Sequence, residues 1–244
     1  MKQNNFKIIK NEPLTANVFK MILAGDTSGV TAAGQFVNLK IEGLYLRRPI
    51  SVCDVEDGLL TLIYKVVGKG TEEMSRMKEG TVLDLLTGLG NGYDLSKAGD
   101  KPLLIGGGVG TPPMYNLAKR LVAMGKTPSV ILGFNTKSEV FYADEFEKLG
   151  CKVTVTTVDG SYGVKGFVTN AMDIEYSYFY VCGNEPMMKA VYAGTKTSGQ
   201  FSFEERMGCG FGACMGCSCK TVTGYKRICK DGPVLTKEEI LWQK

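Results

Sequence analysis

The segment GCGFGACMGC occupies residues 208–217, and a further cysteine stands at position 229. The first three cysteines follow the spacing C-x4-C-x2-C, which together with a distant fourth cysteine is typical of a plant-type two-iron two-sulfur (2Fe-2S) cluster. Glycines between the cysteines let the backbone approach a bulky cofactor and bring N–H groups close to its sulfurs. The pattern therefore predicts a cluster loop with the thiolate ligands Cys209, Cys214, Cys217 and Cys229.

A structural zinc site with four cysteine ligands is the alternative for the same residues. Zinc sites usually pair two C-x2-C units, whereas this loop has one such unit, a four-residue gap and a distant cysteine. The spacing therefore favours the 2Fe-2S cluster over zinc. Cys219 lies two residues after the C-x2-C unit, and we treat it as a spare because the other four cysteines complete the pattern.

The chain has 244 residues, enough for one large domain or for two modest domains with an appended segment. Its formal net charge of +4 includes no run of Lys and Arg of the kind that binds nucleic acid. The sequence contains neither an apolar run of membrane-spanning length nor a secretion signal at its start, so no membrane partner is expected. Eight cysteines, four of them in cluster spacing, indicate a reducing cytoplasm.

Histidine is absent from the sequence. This absence excludes a Ser-His-Asp triad, a His-ligated zinc ion and a Rieske-type cluster. We therefore expect bound cofactors to carry the chemistry, and we assign no catalytic side chain.

The first hundred residues alternate short strand-like segments with turn residues. Several of these segments alternate apolar and polar positions, and their spacing predicts a small antiparallel β-barrel. The predicted strands are residues 6–10, 18–23, 35–41, 50–55, 59–67 and 82–86.

Two segments of this barrel have residues suited to a phosphate ligand. Residues 47–51, RRPIS, place a guanidinium near a hydroxyl at the start of a strand, and a guanidinium can bind phosphate oxygens in a bidentate manner. Residues 64–71, YKVVGKGT, lead from a strand through a glycine turn into a short helix at 71–77, whose N–H groups and dipole suit a pyrophosphate. Either segment alone is equally compatible with a surface charge or an ordinary turn.

From Asp100 onwards, strand-like and helix-like segments alternate. This pattern predicts a parallel sheet covered by helices. The predicted strands are residues 103–105, 130–134, 153–158 and 178–182, and the predicted helices are 114–124, 140–149, 167–172 and 187–196. In the last part of the chain we predict a strand at 200–204 and a hairpin at 220–228 that returns Cys229 to the other ligands.

Two strand ends in this region carry glycines that favour a nucleotide. Residues 106–113, GGGVGTPP, join a strand to a helix but place Thr111 where the dinucleotide fingerprint has its third glycine. A tight turn without a ligand is the alternative for this loop. Residues 182–186, CGNEP, also end a strand and open a helix. Ligands of open α/β sheets collect at the carboxyl ends of strands, so we expect the two loops to meet at one site.

The predicted fold class is therefore β + α/β, with three units: an antiparallel β-barrel at residues 1–98, a parallel-sheet α/β domain at 99–199 and a small C-terminal iron-sulfur domain at 200–244. This order of modules resembles the ferredoxin reductase family of flavoproteins. The resemblance implies that the barrel binds FAD and the α/β domain a nicotinamide dinucleotide. No obvious basic cluster for a 2′-phosphate follows Phe134, so NAD is favoured over NADP.

The same resemblance implies roles for individual residues. Arg48 and Thr71 would bind the FAD pyrophosphate, Ser51 would lie near the flavin N5, and Tyr64 would lie against the ribityl chain or the ring. Cys182 would be a nicotinamide contact and need not be a nucleophile. The full set of implied FAD contacts is Arg48, Pro49, Ile50, Ser51, Ile63, Tyr64, Lys65, Gly70 and Thr71. The implied NAD contacts are Gly107, Gly108, Gly110, Thr111, Pro112, Cys182, Gly183 and Asn184.

Over nearly its whole length the chain resembles the electron-transfer subunits of NAD-dependent (class 1B) dihydroorotate dehydrogenases. The most specific part is the cysteine pattern followed by CKDGPV at residues 229–234, and GLGNGY at 88–93 also matches. One departure is LTGL at 86–89, where the family has glycine-proline before the leucine. The resemblance implies a partner chain that binds FMN and oxidises dihydroorotate, with electrons passing through the 2Fe-2S cluster and FAD to NAD+. It also implies a heterotetramer of two such chains and two catalytic chains.

Two other functions are compatible with the same modules. One is the small subunit of an NADH-dependent ferredoxin:NADP oxidoreductase or of a sulfide dehydrogenase-like complex, in which a carboxylate is expected to replace one cysteine ligand. The other, from a different class, is a zinc-stabilised nucleotide-binding regulatory module without turnover. The four cysteines favour the dihydroorotate dehydrogenase subunit over the first of these alternatives.

Overall fold

The computed structural model describes residues 1–242, and the last two residues of the predicted 200–244 unit lie outside this range. Its first part is a closed antiparallel barrel with the strand order β1-β2-β5-β4-β3-β6. Alternate residues of these strands, such as Phe6, Ile8, Met21 and Leu23, are fully buried and fill the barrel. The strands are β1 (Lys2–Pro13), β2 (Val18–Ala24), β3 (Phe36–Leu39), β4 (Arg48–Glu56), β5 (Leu59–Lys65) and β6 (Val82–Leu89). The predicted barrel is confirmed.

A short helix, α1 (Lys69–Arg76), connects β5 to β6. It begins two residues before the predicted start at position 71, because Gly68 is its N-cap residue. The LTGL segment at 86–89 lies within β6, so this departure from the family pattern falls in a strand of the barrel.

The second part of the chain forms strands that alternate with helices, as predicted. The strands are β7 (Pro102–Gly107), β8 (Ser129–Phe134), β9 (Lys152–Thr157), β10 (Val164–Lys165), β11 (Tyr178–Cys182) and β12 (Gly199–Ser202). The helices are α2 (Thr111–Ala123), α3 (Ala143–Lys148) and α4 (Glu185–Gly194).

Several predicted helix boundaries were wrong for local reasons. The helix predicted at 140–149 begins only at Ala143, because Phe141 and Tyr142 are buried in the core and Tyr142 has a left-handed backbone (φ 66°). Helix α4 begins two residues before position 187, because the Asn184 side chain caps it. The segment predicted as a helix at 167–172 is a 3-10 turn, Val168–Ala171.

The tail contains the predicted hairpin, β13 (Ser218–Thr221) and β14 (Gly224–Arg227), followed by a short helix, α5 (Ile228–Asp231), and by β15 (Val234–Thr236). The sequence did not predict β15, which pairs antiparallel with β12. The sheet order is therefore β10-β9-β8-β7-β11-β12-β15. The division predicted after residue 199 cuts through β12, and residues 203–233 form a long excursion between two strands of the sheet.

The barrel and the sheet pack against each other through α2. Its Lys119 ammonium forms ion pairs with Asp54 and Glu56 of β4, each at 3.0 Å. Buried Cys53 and Ile63 of the barrel share one apolar cluster with Leu117 and other residues of the α/β domain. The ion pairs and the shared apolar cluster therefore join the two modules. Among residues 1–242, no helix is both long enough and apolar enough to cross a membrane.

Candidate cofactor cleft and cysteine loop

A cleft of ≈ 1920 Å³ separates the barrel from the carboxyl ends of the sheet strands. Most of the residues predicted to contact cofactors line it: Arg48, Pro49, Ile50, Ser51, Ile63, Tyr64, Lys65 and Thr71 on the barrel side, and Gly107, Gly108, Gly110, Cys182, Gly183 and Asn184 on the sheet side. Three predicted residues, Gly70, Thr111 and Pro112, are buried and do not line the cleft.

Gly70 affects the cleft through its neighbour Arg48. A Cβ atom at position 70 would overlap the Arg48 guanidinium, so the glycine leaves the space in which this side chain lies. The guanidinium donates to the carbonyl of Leu46, and Arg48 itself begins β4. Gly70 thus permits the position of a cation at the cleft wall.

The other polar side chains of the barrel wall also have protein partners. The Thr71 hydroxyl accepts a hydrogen bond from the Val67 N–H (2.9 Å) and donates to the Gly68 carbonyl (3.0 Å), which closes the glycine turn. The Tyr64 hydroxyl donates to Asn11 Oδ1 at 3.0 Å, and burial raises the pKa of this phenol to about 12. Thr71 and Tyr64 therefore shape the wall as well as lining it.

The two glycine loops of the sheet meet as predicted. Strands β7 and β11 are parallel neighbours, with Gly106 opposite Cys182. A Cβ atom at Gly110 would overlap the Cys182 carbonyl and the Gly183 nitrogen, so the loops approach each other at backbone distance. From β7 the chain moves outwards through β8 and β9 on one side of the sheet and then returns to β11 on the other side of β7. Such a switch point in the strand order is where ligands bind in open α/β sheets.

Thr111, which replaces the third glycine of the fingerprint, is accommodated by Gly106. A Cβ atom at Gly106 would lie 2.9 Å from the Thr111 Cα, so the glycine on the strand provides the close helix–strand approach. Asn184 has a structural role, since its side chain accepts the Met187 N–H at 2.9 Å and caps α4. Burial raises the pKa of the Cys182 thiol to about 12, which keeps it protonated and suits a contact rather than a nucleophile.

Sequence reasoning missed the residues at the ends of β8 and β9 that also line the cleft. The Glu139 carboxylate accepts hydrogen bonds from the Asn135 backbone N–H (3.2 Å) and from its side-chain amide (2.8 Å). The Phe167 ring, 64% exposed, lies at the same end. The sequence signalled this strand end only through the lack of an obvious basic cluster after Phe134, because no glycine motif marks it.

The cysteine loop directs backbone N–H groups at sulfur atoms. Cys209 Sγ accepts from the N–H of Ala213 (3.2 Å) and of Cys214 (3.4 Å), Cys214 Sγ from Gly216 (3.5 Å) and Cys217 Sγ from Cys229 (3.4 Å). Left-handed backbone at three positions produces this orientation: Gly210 (φ 79°), Gly212 (φ 93°) and Met215 (φ 58°). N–H groups of this kind stabilise thiolates and the sulfurs of a bound cluster.

The four predicted ligands are arranged as two pairs. Cys209 contacts Cys214 near the surface, and Cys217 contacts Cys229 in the interior. Although burial raises it, the N–H groups of Cys214 and Phe211 bring the pKa of Cys209 down to about 6. Within residues 1–242, no three cysteine or acidic side chains are placed to hold one metal ion. A 2Fe-2S cluster is held by four cysteine thiolates, and these two pairs of thiols supply that number.

Hydrogen bonds attach the loop to the other modules. Asn91 in the GLGNGY segment binds the chain where it leaves the cysteine loop. Its backbone N–H donates to the Gly232 carbonyl (2.7 Å). Its side chain accepts a hydrogen bond from the Val234 N–H (3.1 Å) and donates one to the Val234 carbonyl (2.8 Å). Arg227 donates to the Gly212 carbonyl at 2.9 Å. Cys219 lies on β13 beside the cleft and belongs to neither thiol pair.

Comparisons with known proteins agree with this organisation. The family model described as the iron-sulfur cluster binding domain of dihydroorotate dehydrogenase B matches residues 204–241, and the oxidoreductase NAD-binding domain matches residues 104–193. A curated relative from Geobacillus sp. (strain WCH70), the "Dihydroorotate dehydrogenase B (NAD(+)), electron transfer subunit", is 40% identical over 256 residues, covering 99% of each chain.

Two solved structures share the fold. A chain of an NADH-dependent reduced ferredoxin-NADP oxidoreductase is 31% identical, with a TM-score of 0.88 over 97% of this chain and 90% of that one. A ferredoxin NADP+ reductase from Neisseria gonorrhoeae with bound FAD and NADP is 17% identical, with a TM-score of 0.70 over 80% of this chain and 90% of that one. Together with the full-length sequence similarity, the cleft and the cysteine loop show that the chain belongs to the family of dihydroorotate dehydrogenase B (NAD(+)) electron transfer subunits.

Proposed function

We propose that this chain carries electrons from dihydroorotate, oxidised on a partner subunit, to NAD+. One observation carries the proposal: the cysteine loop is an excursion between β12 and β15, and β12 is paired with β11, whose end forms the glycine-lined cleft. A single sheet therefore anchors both ends of the thiol-bearing loop and the strand end that lines the dinucleotide site. The chain is the oxidoreductase component of a larger enzyme, and its cofactors are FAD, a 2Fe-2S cluster and NAD.

The barrel side of the cleft is suited to bind FAD, and the sheet side is suited to bind NAD. When bound, FAD exchanges a hydride with nicotinamide and single electrons with the cluster. Arg48 would neutralise the FAD pyrophosphate, and Ser51 would face the flavin ring. Gly107, Gly110 and Gly183 would let the nicotinamide end approach the backbone, and Cys209, Cys214, Cys217 and Cys229 would bind the irons. We assign FAD to residues 1–98, NAD to 99–199 and the cluster to 200–244, with β12 and β15 joining the last unit to the sheet.

The choice of NAD over NADP is supported by Glu139. Asn135 fixes its carboxylate at the end of β8. At this edge of a dinucleotide-binding sheet, a carboxylate favours the ribose hydroxyls of NAD and repels a 2′-phosphate.

The family name of the relatives implies a catalytic partner. We propose that this partner contains FMN and that two copies of each chain form a heterotetramer. We also place the complex in the cytoplasm, because all eight cysteines of the chain are free thiols and the cluster loop needs four of them reduced.

A second candidate function follows from the similarity to the NADH-dependent reduced ferredoxin-NADP oxidoreductase. In that function the acceptor would be ferredoxin or NADP+. The four cysteines weigh against it, because a carboxylate ligand is expected there.

A coupled assay separates the two functions. Mixed with an FMN-containing dihydroorotate dehydrogenase catalytic subunit, the chain should support dihydroorotate-dependent reduction of NAD+, followed as NADH absorbance. The catalytic subunit alone is the control and should not reduce NAD+. Reduction of NADP+ or ferredoxin without NAD+ reduction would contradict the proposed function and favour the second one.

Replacement of Arg48 tests the FAD site. We expect Arg48→Ala to weaken FAD retention by about tenfold or more, because a charge-assisted hydrogen bond contributes about 1.5–3 kcal/mol. The flavin content after gel filtration and a titration with free FAD measure the effect. Arg76→Ala is the matched control, since Arg76 is an exposed arginine of α1 that pairs with Glu72 and Glu73 of the same helix. Equal FAD content in both variants would exclude the pyrophosphate role of Arg48.

A further inference from the structure

Asn38 connects the barrel to the cysteine loop. Its side chain is 1% exposed in the middle of β3, and its amide nitrogen donates to the carbonyl of Cys209 at 3.2 Å. The amide oxygen, Oδ1, is buried and has no hydrogen-bond partner among residues 1–242. A buried polar side chain without a full set of partners is unfavourable for folding, so its position beside the first cluster ligand calls for a functional reason.

The strand register places Asn38 at the flavin side of the barrel. Asn38 is directly opposite Pro49 of β4, and opposed residues of an antiparallel pair project to the same face. Pro49 lines the cleft next to Ser51. The pair Asn38 and Pro49 therefore connects the backbone of Cys209 to the flavin wall, by which we mean the barrel side of the cleft at residues 48–51.

Residues of the barrel and of the cysteine loop both contact Asn38 and fix its position. In the barrel, the Arg47 guanidinium donates to the Asn38 carbonyl (3.2 Å) and forms an ion pair with Asp84 (2.8 Å). In the cysteine loop, Gly210 has a φ of 79°, and a Cβ atom there would overlap the Asn38 amide. The cysteine loop thus has a glycine at position 210, where the Asn38 amide packs against its backbone.

We propose that Asn38 is the positioning residue for electron transfer between flavin and cluster: its amide holds Cys209, and through it the cluster, at a set distance and orientation from the flavin wall. This inference rests on the proposed function. Electron transfer slows as the distance between two redox groups grows, so the protein controls the rate by orienting them. The amide acts on the ligand through its carbonyl and does not touch the reacting atoms.

The test uses the chain with FAD and cluster bound, and NADH as the reductant. NADH supplies two electrons as a hydride, of which one passes on to the cluster and one stays with the flavin. Stopped-flow absorbance follows the two phases separately. In Asn38→Leu, which keeps the number and branching of the side-chain heavy atoms but removes the donor, flavin reduction should stay within about twofold of the wild-type rate, and cluster reduction should slow by about tenfold or more. The EPR spectrum of the dithionite-reduced cluster should also shift.

Two further variants make the result decisive. Thr87→Val is the matched control. Thr87 is a fully buried residue of the same barrel, its hydroxyl also lacks a partner among the described residues, and its side chain lies against Gly29. Both phases of this variant should match the wild type. Asn38→Ser shortens the side chain so that it no longer reaches the Cys209 carbonyl. It should also slow the second phase, and it decides the question if Asn38→Leu does not fold.

The outcomes separate this inference from the proposed function. Wild-type protein without flavin or without a cluster EPR signal would contradict the proposed function itself. Wild-type protein with both cofactors, and variants whose cluster-reduction rate and EPR spectrum equal its own, would overturn only the positioning role of Asn38.

Discussion

Cys214→Ser is expected to abolish the visible absorption and the EPR signal of the 2Fe-2S cluster while FAD stays bound. A serine hydroxyl does not supply the soft thiolate that iron-sulfur clusters require. Cys214 is exposed in the loop, so its replacement leaves the apolar core unchanged, and the proposed FAD contacts lie on the barrel. Dihydroorotate-dependent NAD+ reduction should fall by at least about 100-fold, whereas direct reduction of the flavin by NADH should continue.

Cys219→Ser is the matched control for this prediction. Cys219 lies on β13, outside both thiol pairs, and its replacement should leave iron, acid-labile sulfide and absorption at wild-type levels. Loss of the cluster in the Cys219 variant, or its retention in the Cys214 variant, would show that the ligand set is wrong. Iron and sulfide analysis of protein purified without oxygen gives this result independently of any activity.

Gly110→Ala is expected to slow the reduction of FAD by NADH by about 100-fold, since displacing a reacting group by about 1 Å can have an effect of this size. Gly110 has an ordinary right-handed backbone (φ −79°, ψ −12°), so alanine causes no strain in the backbone itself. The added methyl group would overlap the Cys182 carbonyl and the Gly183 nitrogen. These are backbone atoms, so the two glycine loops must separate. Overpacking of this kind also destabilises a fold by about 1–3 kcal/mol.

Stopped-flow reduction by NADH and thermal unfolding measure the two effects of Gly110→Ala. Gly194→Ala is the control, because Gly194 ends α4 and a Cβ atom there meets nothing within 4 Å. This control should keep the wild-type rate and gain about 0.5–1 kcal/mol in stability. A Gly110 variant that reduces FAD at the wild-type rate would remove these two loops from the nicotinamide site.

The barrel and the alternating α/β elements were predictable because their signals are local. In β1, Phe6 and Ile8 are buried and Lys7 between them is exposed, and this period of two is visible in a short window of sequence. The start of α4 was missed because the cap at Asn184 depends on a single hydrogen bond. Strand β15 was missed because three residues carry no periodic signal, and their partner, β12, lies more than thirty residues earlier in the chain.

The candidate site shows the same difference between local sequence signals and contacts between distant residues. The cysteine spacing and both glycine loops are sequence motifs, and the two glycine loops adjoin each other at the cleft. Glu139 and Asn38 have no motif, because each depends on contacts made only after the strands pair. The predicted contacts Gly70, Thr111 and Pro112 are buried beside the cleft, which indicates that motif residues here include supports for the neighbouring side chains as well as residues of the cleft wall.

The excursion from β12 to β15 bears on how separable the thiol-bearing segment is. Both of its ends are fixed in the sheet by strand pairing, and Asn91 ties its return to the segment that follows the barrel. The segment is therefore an insertion between two paired strands and not a detachable tail. Truncating the chain before residue 203 would remove β15, an edge strand of the sheet, together with the four thiols.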